Sequence, residues 1–427
     1  MPDYSPRIVD AELDELLVGL AAIAIEGAKG TGKTATGRRR ASTVVELDDP
    51  AQRTVAAADV RQVLERLRPI LIDEWQRLPE IWDAVRRAVD DDATPSQFLL
   101  TGSAAPGDVS THSGAGRIVR LRMRPLSLAE REFETPTVSV KELLSGTRAA
   151  IRGTTPLRLN AYVDEILRSG FPGLRGLTDR ALRAQLDAYV SRIVDRDFDE
   201  LGHKLRQPAL LLRWLRAYAS ATATTAAYET IRDAATGGES DKPTKATTIR
   251  YREILERLWI LEPVPAWLPS RNPVTALTQS PKHHLVDPAL SAQLLGASAE
   301  SLLRGEGPTT TATEAPADGV LLGALFESLV AQSVRVYAQA NEARVGHLRL
   351  AGGRHEIDLI VERADGRVLA IEVKLSATVT DDDVRHLLWL RSAIGDDLLD
   401  AIVVTTGPDA YRRADGIAVV PAALLGP

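Results

Sequence analysis

Gly27-Ala28-Lys29-Gly30-Thr31-Gly32-Lys33-Thr34 carries the most legible chemistry of this 427-residue chain. Its glycines let backbone N–H groups close around an anion, and a helix starting at its end turns its positive pole toward the same anion. Lys33 has the reach for the β- and γ-phosphates of a nucleotide, and the Thr34 hydroxyl suits a Mg²⁺ shell. The apolar run Ala21 to Ile25 ahead of the loop predicts a buried parallel strand. Strand, glycine-rich loop and Gly-Lys-Thr ending thus follow in the order of a Walker A cradle. All eight residues from Gly27 to Thr34 are expected at the nucleotide.

A second apolar run, Pro69 to Ile72, ends in Asp73-Glu74. Such a strand delivers acids to the carboxyl edge of a sheet, where ligands collect in open α/β folds. Asp73 is placed to hold the Mg²⁺ shell and Glu74 to orient or deprotonate an attacking water. The alternative is an exposed acidic pair capping a helix that starts near Pro79. A third strand, Gln97 to Leu100, runs into Thr101-Gly102-Ser103, which puts the Ser103 hydroxyl beside these acids. Arg117 precedes a further strand, Ile118 to Leu121. It reads equally as a charge stabiliser for phosphoryl transfer, in its own subunit or from a neighbour, and as a solvated arginine at a strand start.

Another constellation lies near the carboxyl end. Gly323 to Val330 predicts an amphipathic helix bearing Glu327. His355 to Val361 and Leu369 to Lys374 predict two strands joined by a turn at Asp365-Gly366, with Asp358 on one and Glu372 and Lys374 on the other. Residues two apart on a strand share a face, so Glu372 and Lys374 are expected together. Carboxylates there (Glu327, Asp358 and Glu372) suit Mg²⁺, with Lys374 activating a hydroxide near a phosphodiester. The plain alternative is an ordinary half-exposed strand. Asp381-Asp382-Asp383 reads as a helix N-cap cluster.

Several of these motifs also carry a family resemblance. Leu47-Asp48-Asp49-Pro50, Ile72 to Pro79, Leu100 to Ser103, Ala115 to Ile118 and Arg124 to Leu128 occur in order. In this the chain resembles the prokaryotic AAA-type ATPases that carry the domain of unknown function 4143. The resemblance implies ATP and Mg²⁺ as cofactors, Lys33 and Thr34 as nucleotide ligands, Asp73 and Glu74 as a Walker B pair, and Ser103 near the sensor position. Ala28, Lys29 and Gly30 depart from the commonest form of the loop. Asp358, Glu372 and Lys374 resemble the motif of the PD-(D/E)xK nuclease fold, which the family also carries, and Glu327 matches its helical acid. Asp195-Arg196-Asp197 and Pro281 to Asp287 also look like motifs of the family.

The implied fold class is α/β: a P-loop parallel sheet, a helical and winged-helix region, and a restriction-endonuclease-like α/β domain. Expected boundaries are 1–135 for the ATPase core, 136–225 for a helical lid, 226–304 for the winged-helix-like segment, 305–319 for a linker rich in Thr, Ala, Pro and Gly, and 320–427 for the last domain. Apolar spacing predicts helices over Leu157 to Arg168, Arg180 to Phe198 and Leu210 to Ala221. In the winged-helix region, Thr225 to Ala235 and Lys245 to Leu258 predict helices, with the polar loop Gly237 to Pro243 between them. Lys242, Lys245, Arg250, Arg252 and Arg257 offer a positive face to DNA or RNA, or simply a solvated one. His283 and His284, adjacent on a strand, point to opposite faces and do not read as a metal pair.

Composition bounds the rest. The chain has no cysteine, so disulfides and thiolate metal sites are excluded. Aromatics are only 4%, so Ala, Leu, Val and Ile must fill the cores. A net charge of −6 confines any nucleic-acid surface to a local patch. The longest apolar stretch, Leu16 to Ile25, is broken by Gly19 and follows acidic residues, so no membrane span or secretory signal is expected. A cytoplasmic ATPase whose nucleotide state controls a nuclease-like or nucleic-acid-binding domain is one expectation. An ATP-dependent switch with an inactive nuclease-like domain is the other. Oligomerisation stays open.

Overall fold

The computed structural model describes residues 4–103, 116–203, 205, 207–236, 242–269, 279–304 and 319–427. The polar loop 237–241 and the linker expected over 305–319, save Gly319, lie outside the described residues. Two compact units divide the chain. The first is Met1–Pro125 with Phe171–Gly173 and Glu253–Ile260, and the second is Leu126–Gly170, Leu174–Arg252 and Leu261–Pro427.

In the first unit, α1 (Ile8–Gly19) leads into β1 (Ala22–Glu26), followed by α2 (Lys33–Arg38), β2 (Thr43–Glu46), α3 (Pro50–Ala58), α4 (Val60–Leu64), β3 (Ile70–Asp73), α5 (Glu80–Asp91), β4 (Phe98–Gly102) and β5 (Ile118–Arg122). The strands form one sheet in the order β2-β3-β4-β1-β5, with every neighbouring pair parallel. Near-continuous apolar strands are what a sheet covered on both faces requires. Their alternation sorts the core into two layers. Ala22, Ala24, Ile70, Ile72, Phe98 and Leu100 pack on one face with Trp75 and Trp82. Ile23, Ile25, Leu71 and Leu99 pack on the other with Leu13 and Leu17 of α1. Asp49 caps α3 by accepting the Ala51 N–H, with Pro50 at the first helical position.

The parallel arrangement brings all five carboxyl ends to one edge. Register then aligns specific residues there: Glu26 lies opposite Gly102 and Arg122, and Asp73 opposite Thr101.

The second unit carries the helices Leu159–Leu167, Asp179–Arg192, Pro208–Ser220, Tyr228–Ala234 and Pro288–Leu294. The helix Lys245–Arg257 begins in it, and from Glu253 onward belongs to the first unit. A π-helical turn, Ile193–Asp197, follows Arg192. Antiparallel bridges Leu261–Leu285 and Val264–Lys282 form a short ladder after Lys245–Arg257. A seven-stranded sheet comprises β7 (Gly153–Thr154), β8 (Arg344–Arg349), β9 (Glu356–Glu362), β10 (Val368–Val373), β11 (Leu398–Thr405), β12 (Asp409–Arg412) and β13 (Ala418–Pro421), in the order β7-β12-β13-β11-β10-β9-β8. A separate pair joins β6 (Val138–Ser139) to β14 (Leu425–Gly426).

These pairings differ from the expected boundaries. The first unit's opening segment ends at Pro125, not near 135. The opening of the expected helical lid contains β6 and β7, which pair with strands more than 250 residues away. A two-residue strand has no periodicity to read, and its partner is chosen by packing. The apolar helix Val320–Gln339 is long enough to cross a membrane by length and composition, yet 67% of that stretch is buried inside the protein.

Arg131 is an enclosed cation of the second unit. Its guanidinium donates to the backbone carbonyls of Leu126 (2.9 Å) and Glu165 (2.8 Å) and to the Glu165 carboxylate (3.2 Å), with its side chain fully buried. Arg175 also grips the Glu165 carboxylate, at 2.6 and 3.0 Å, so removing Arg131 costs its own buried hydrogen bonds without stranding that charge. Arg131→Ala is therefore expected to lower unfolding free energy by about 1.5–3 kcal/mol, measured as a reduced urea midpoint. A loss below about 1 kcal/mol, the range of an exposed pair, counts against this account.

Candidate functional site

The loop after β1 is shaped by backbone conformations that favour glycine. Gly30 and Gly32 have φ of 84° and 99°. At Gly27 a Cβ would lie 2.1 Å from the Met123 carbonyl oxygen, so only glycine fits there. Arg7 donates to the Thr31 carbonyl and to the Arg124 carbonyl, each at 2.7 Å, and so fastens the loop to the end of β5. The Thr31 hydroxyl donates to the Ala28 carbonyl at 3.0 Å. Lys33 is buried, and its ammonium donates to the carbonyls of Gly27 and Ala28, both at 2.9 Å. Burial pushes Lys33 down to about 8, because neutral carbonyls replace only part of its lost hydration.

Across the sheet edge, the Thr34 hydroxyl donates to Asp73 Oδ1 at 2.8 Å, and Thr101 also bonds this oxygen. Glu74 follows with φ of 53°, an uncommon conformation for a residue with a side chain. Gln76 Nε2 donates to Glu74 Oε2 at 2.5 Å and to the Ser103 hydroxyl at 3.3 Å, and Ser103 donates to the same carboxylate at 3.3 Å. Gly102 makes room for this cluster, since a Cβ there would meet Trp75 Nε1 at 2.8 Å. The structure thus brings Gly27 through Thr34, Asp73, Glu74 and Ser103 to one edge.

It does not bring Arg117 there. Arg117 precedes β5, at the amino end of a strand parallel to β1 and so at the opposite edge from the loop, and its Nε donates to Asp90 Oδ1 at 2.7 Å. The arginine at the carboxyl end of β5 is Arg122. It stacks over Trp259 with its guanidinium carbon 3.7 Å from the ring centroid, and Nη1 lies 3.5 Å from where a Gly27 Cβ would be. Arg7, Gln76 and Arg122 were not expected at this edge. Arg122 alone had a readable signal, since it closes the strand that Arg117 precedes.

The second cluster occupies β9, β10 and the helix Val320–Gln339. Asp358 Oδ2 accepts the Val373 N–H at 2.8 Å, and Lys374 donates to Glu372 Oε1 at 2.8 Å, so Glu372 and Lys374 do share a face. The residue missed by sequence reasoning is Lys282. Its side chain is 1% exposed, and its ammonium donates to Glu327 Oε1 and Asp358 Oδ1, both at 2.9 Å. Burial works against that charge, but Asp358 and Glu327 outweigh it and hold the ammonium above the usual lysine range. Burial likewise favours the neutral form of Asp358, yet Lys282 outweighs it and holds the carboxyl below its usual value. A cavity of about 350 Å³ opens beside these groups, lined by Glu356, Asp358, Glu372, Lys374, Asp383 and His386 among others. Asp383 also closes the N-terminal cap of the helix Asp381–Ile394 through Thr380.

The expected metal set of Glu327, Asp358 and Glu372 left no place for that ammonium. Among the described residues, no group of three or more His, Cys, Asp or Glu is arranged to hold a metal ion. As arranged, the cluster does not fit a divalent cation. His283 Nε2 lies 2.8 Å from the Ala226 carbonyl between the rings of Tyr218 and Tyr228, and His284 is fully buried.

Parts of the chain are similar to known domains and proteins. Residues 21–132 match the family model for the AAA domain, residues 159–301 match a domain of unknown function (DUF8612), and residues 322–425 match a domain of unknown function (DUF4143). Uncharacterized proteins of Mycobacterium tuberculosis and Mycobacterium bovis are each 25% identical over 423 residues, covering 97% of this chain and 83% of theirs. A Walker-type ATPase of Pyrococcus abyssi covers 67% of this chain and 94% of its own, with 15% identity and a TM-score of 0.40. By the family matches, the chain combines an AAA-type ATPase domain with DUF4143.

Burial pushes both Glu327 and Glu372 up to about 8. An unfolded glutamate titrates at about 4.3, so between these values the folded state keeps protons that the unfolded chain releases. Stability is therefore expected to fall as pH rises from about 5 to about 8, read as a declining urea midpoint. Glu372→Gln is expected to flatten that decline, and an unchanged slope counts against it.

Proposed function

We propose that the chain is a Mg²⁺-dependent ATP-binding protein and ATPase whose nucleotide state controls a carboxyl-terminal nuclease-like or nucleic-acid-binding domain. The observation that carries the reading is the meeting, at one sheet edge, of a positive-φ glycine loop, a buried Lys33 and the Thr34–Asp73 hydrogen bond. Backbone N–H groups of Gly27 to Thr34 receive the phosphates. Lys33 exchanges two neutral carbonyls for phosphate oxygens, which answer its charge better. Thr34 and Asp73 fit Mg²⁺, since both offer hard oxygens and already lie within hydrogen-bond distance of each other. When bound, the ion neutralises charge developing on the transferred phosphoryl group. Glu74, steadied by Gln76 and Ser103, orients or deprotonates the attacking water. Arg117 can serve phosphoryl transfer only from a neighbouring subunit, given its edge and its bond to Asp90.

Control of the second unit is supported by chain connectivity. Phe171–Gly173 belongs to the first unit while the chain on both sides belongs to the second, and Phe171 Cδ1 lies 3.7 Å from where a Gly30 Cβ would be. A shift of the phosphate loop thus acts on a segment tethered at both ends. The three helices Pro208–Ser220, Tyr228–Ala234 and Lys245–Arg257, with the ladder at Leu261–Leu285, support a winged-helix reading. Its cations are partly answered within the module, since Lys242 pairs with Asp233 at 2.7 Å and Lys245 with Glu229 at 3.3 Å. Both pairs are exposed and weak enough for phosphates to compete.

The second reading, an ATP-dependent regulatory switch with a catalytically inactive nuclease-like domain, is favoured by one observation: Lys282 between Glu327 and Asp358.

Lys33→Ala is expected to abolish ATP binding in calorimetry. Glu74→Gln is expected to keep binding while hydrolysis drops by about 10²- to 10⁴-fold, the usual contribution of a general base. Normal turnover in Lys33→Ala would overturn the assignment. Mobility-shift titrations with duplex DNA and single-stranded RNA, with and without ATP, test the control: equal binding in both nucleotide states argues against it.

A further inference from the structure

Lys282 is set by structure remote from the carboxylates it serves. Its backbone is locked to Val264 by reciprocal hydrogen bonds of 2.9 and 2.8 Å. From there the side chain reaches Glu327 and Asp358, 45 and 76 residues further along the chain. A third carboxylate, Glu356, stands 3.8 Å from the ammonium. Several carboxylate oxygens gathered round one compact cation is how proteins hold hard divalent ions, although such ions demand shorter contacts, about 2.0–2.1 Å for Mg²⁺. Beside them, Glu372 is 5% exposed and lines the cavity, and its Oε2 is buried with no hydrogen-bond donor among the described residues. A buried carboxyl oxygen left without a partner calls for a physical explanation.

Charge decides who occupies the cluster. Glu327, Asp358 and Glu356 gather round Lys282, while Lys374 is taken by Glu372 Oε1. A tethered ammonium competes at a very high effective concentration, and an incoming ion must both displace it and leave it buried without a partner. We propose that Lys282 is a built-in cation: its ammonium holds the place between Glu327 and Asp358, with Glu356 beyond, that a divalent metal ion would take. The wild-type cluster therefore takes no divalent ion, and removing the ammonium turns it into a divalent-cation site. This goes beyond the ATPase reading and stands or falls independently of it.

The test is a titration of the nucleotide-free full-length chain with Mn²⁺ alone, followed by electron paramagnetic resonance. Lys282→Met is expected to bind one Mn²⁺ more than the wild type, at least about tenfold tighter than any wild-type binding there, which is about 1.4 kcal/mol. Adding Asp358→Asn is expected to abolish that site, and Lys282→Arg, which keeps a cation, to behave as wild type. Mn²⁺ is also expected to raise the melting temperature of Lys282→Met and not that of the wild type. No extra Mn²⁺ in folded Lys282→Met overturns the proposal. So does a wild-type Mn²⁺ site that Asp358→Asn removes, a comparison that decides the matter even where Lys282→Met fails to fold.

Discussion

An ammonium taken out of water must have its charge answered by oxygens within hydrogen-bond distance, and both clusters of this protein are built on that constraint. The two answers differ in kind. Lys33 is met by the neutral carbonyls of Gly27 and Ala28, which leaves its charge under-compensated and its ionisation pushed down. Lys282 is met by two carboxylates, which outweigh its burial and fix its charge. The first arrangement favours the arrival of an anion. The second is already satisfied, and resists the arrival of a cation.

The parallel sheet gives the first cluster its place. Because every strand of β2-β3-β4-β1-β5 runs the same way, the residues that end strands converge and those that begin them do not. Asp73, Glu74, Ser103 and Arg122 follow or close their strands and meet the phosphate loop. Arg117, on the same strand segment as Arg122, faces the other edge and settles on Asp90. Glycine does the remaining work at two points: Gly27 passes under the Met123 carbonyl, and Gly102 under the Trp75 ring.

In the second unit, the hairpin of β9 and β10 aligns Asp358 beside the backbone of Val373, and strand periodicity sets Glu372 next to Lys374. Those contacts alone would leave a concentration of negative charge partly removed from water. Lys282 relieves it for Glu327 and Asp358, and Lys374 for one oxygen of Glu372. The suppressed ionisation of Glu327 and Glu372 marks what remains of the imbalance.

Local pattern was enough to read the phosphate loop, the acids after β3 and the pairing of Glu372 with Lys374, because each depends on spacing within one strand or turn. The helix bearing Glu327, expected over Gly323 to Val330 and found over Val320–Gln339, and the hairpin at Asp365-Gly366 were legible for the same reason. The edge reached by Arg117 or Arg122 depends on strand direction within the sheet, and β6 and β7 join strands near the chain's end. Lys282 meets carboxylates from two other elements. Such meetings carry no periodic signal along the chain, since they are selected by the packing that must neutralise a buried charge. The sequence by itself determined which groups were available for phosphate and carboxylate chemistry, and the tertiary structure decided which cation each would face.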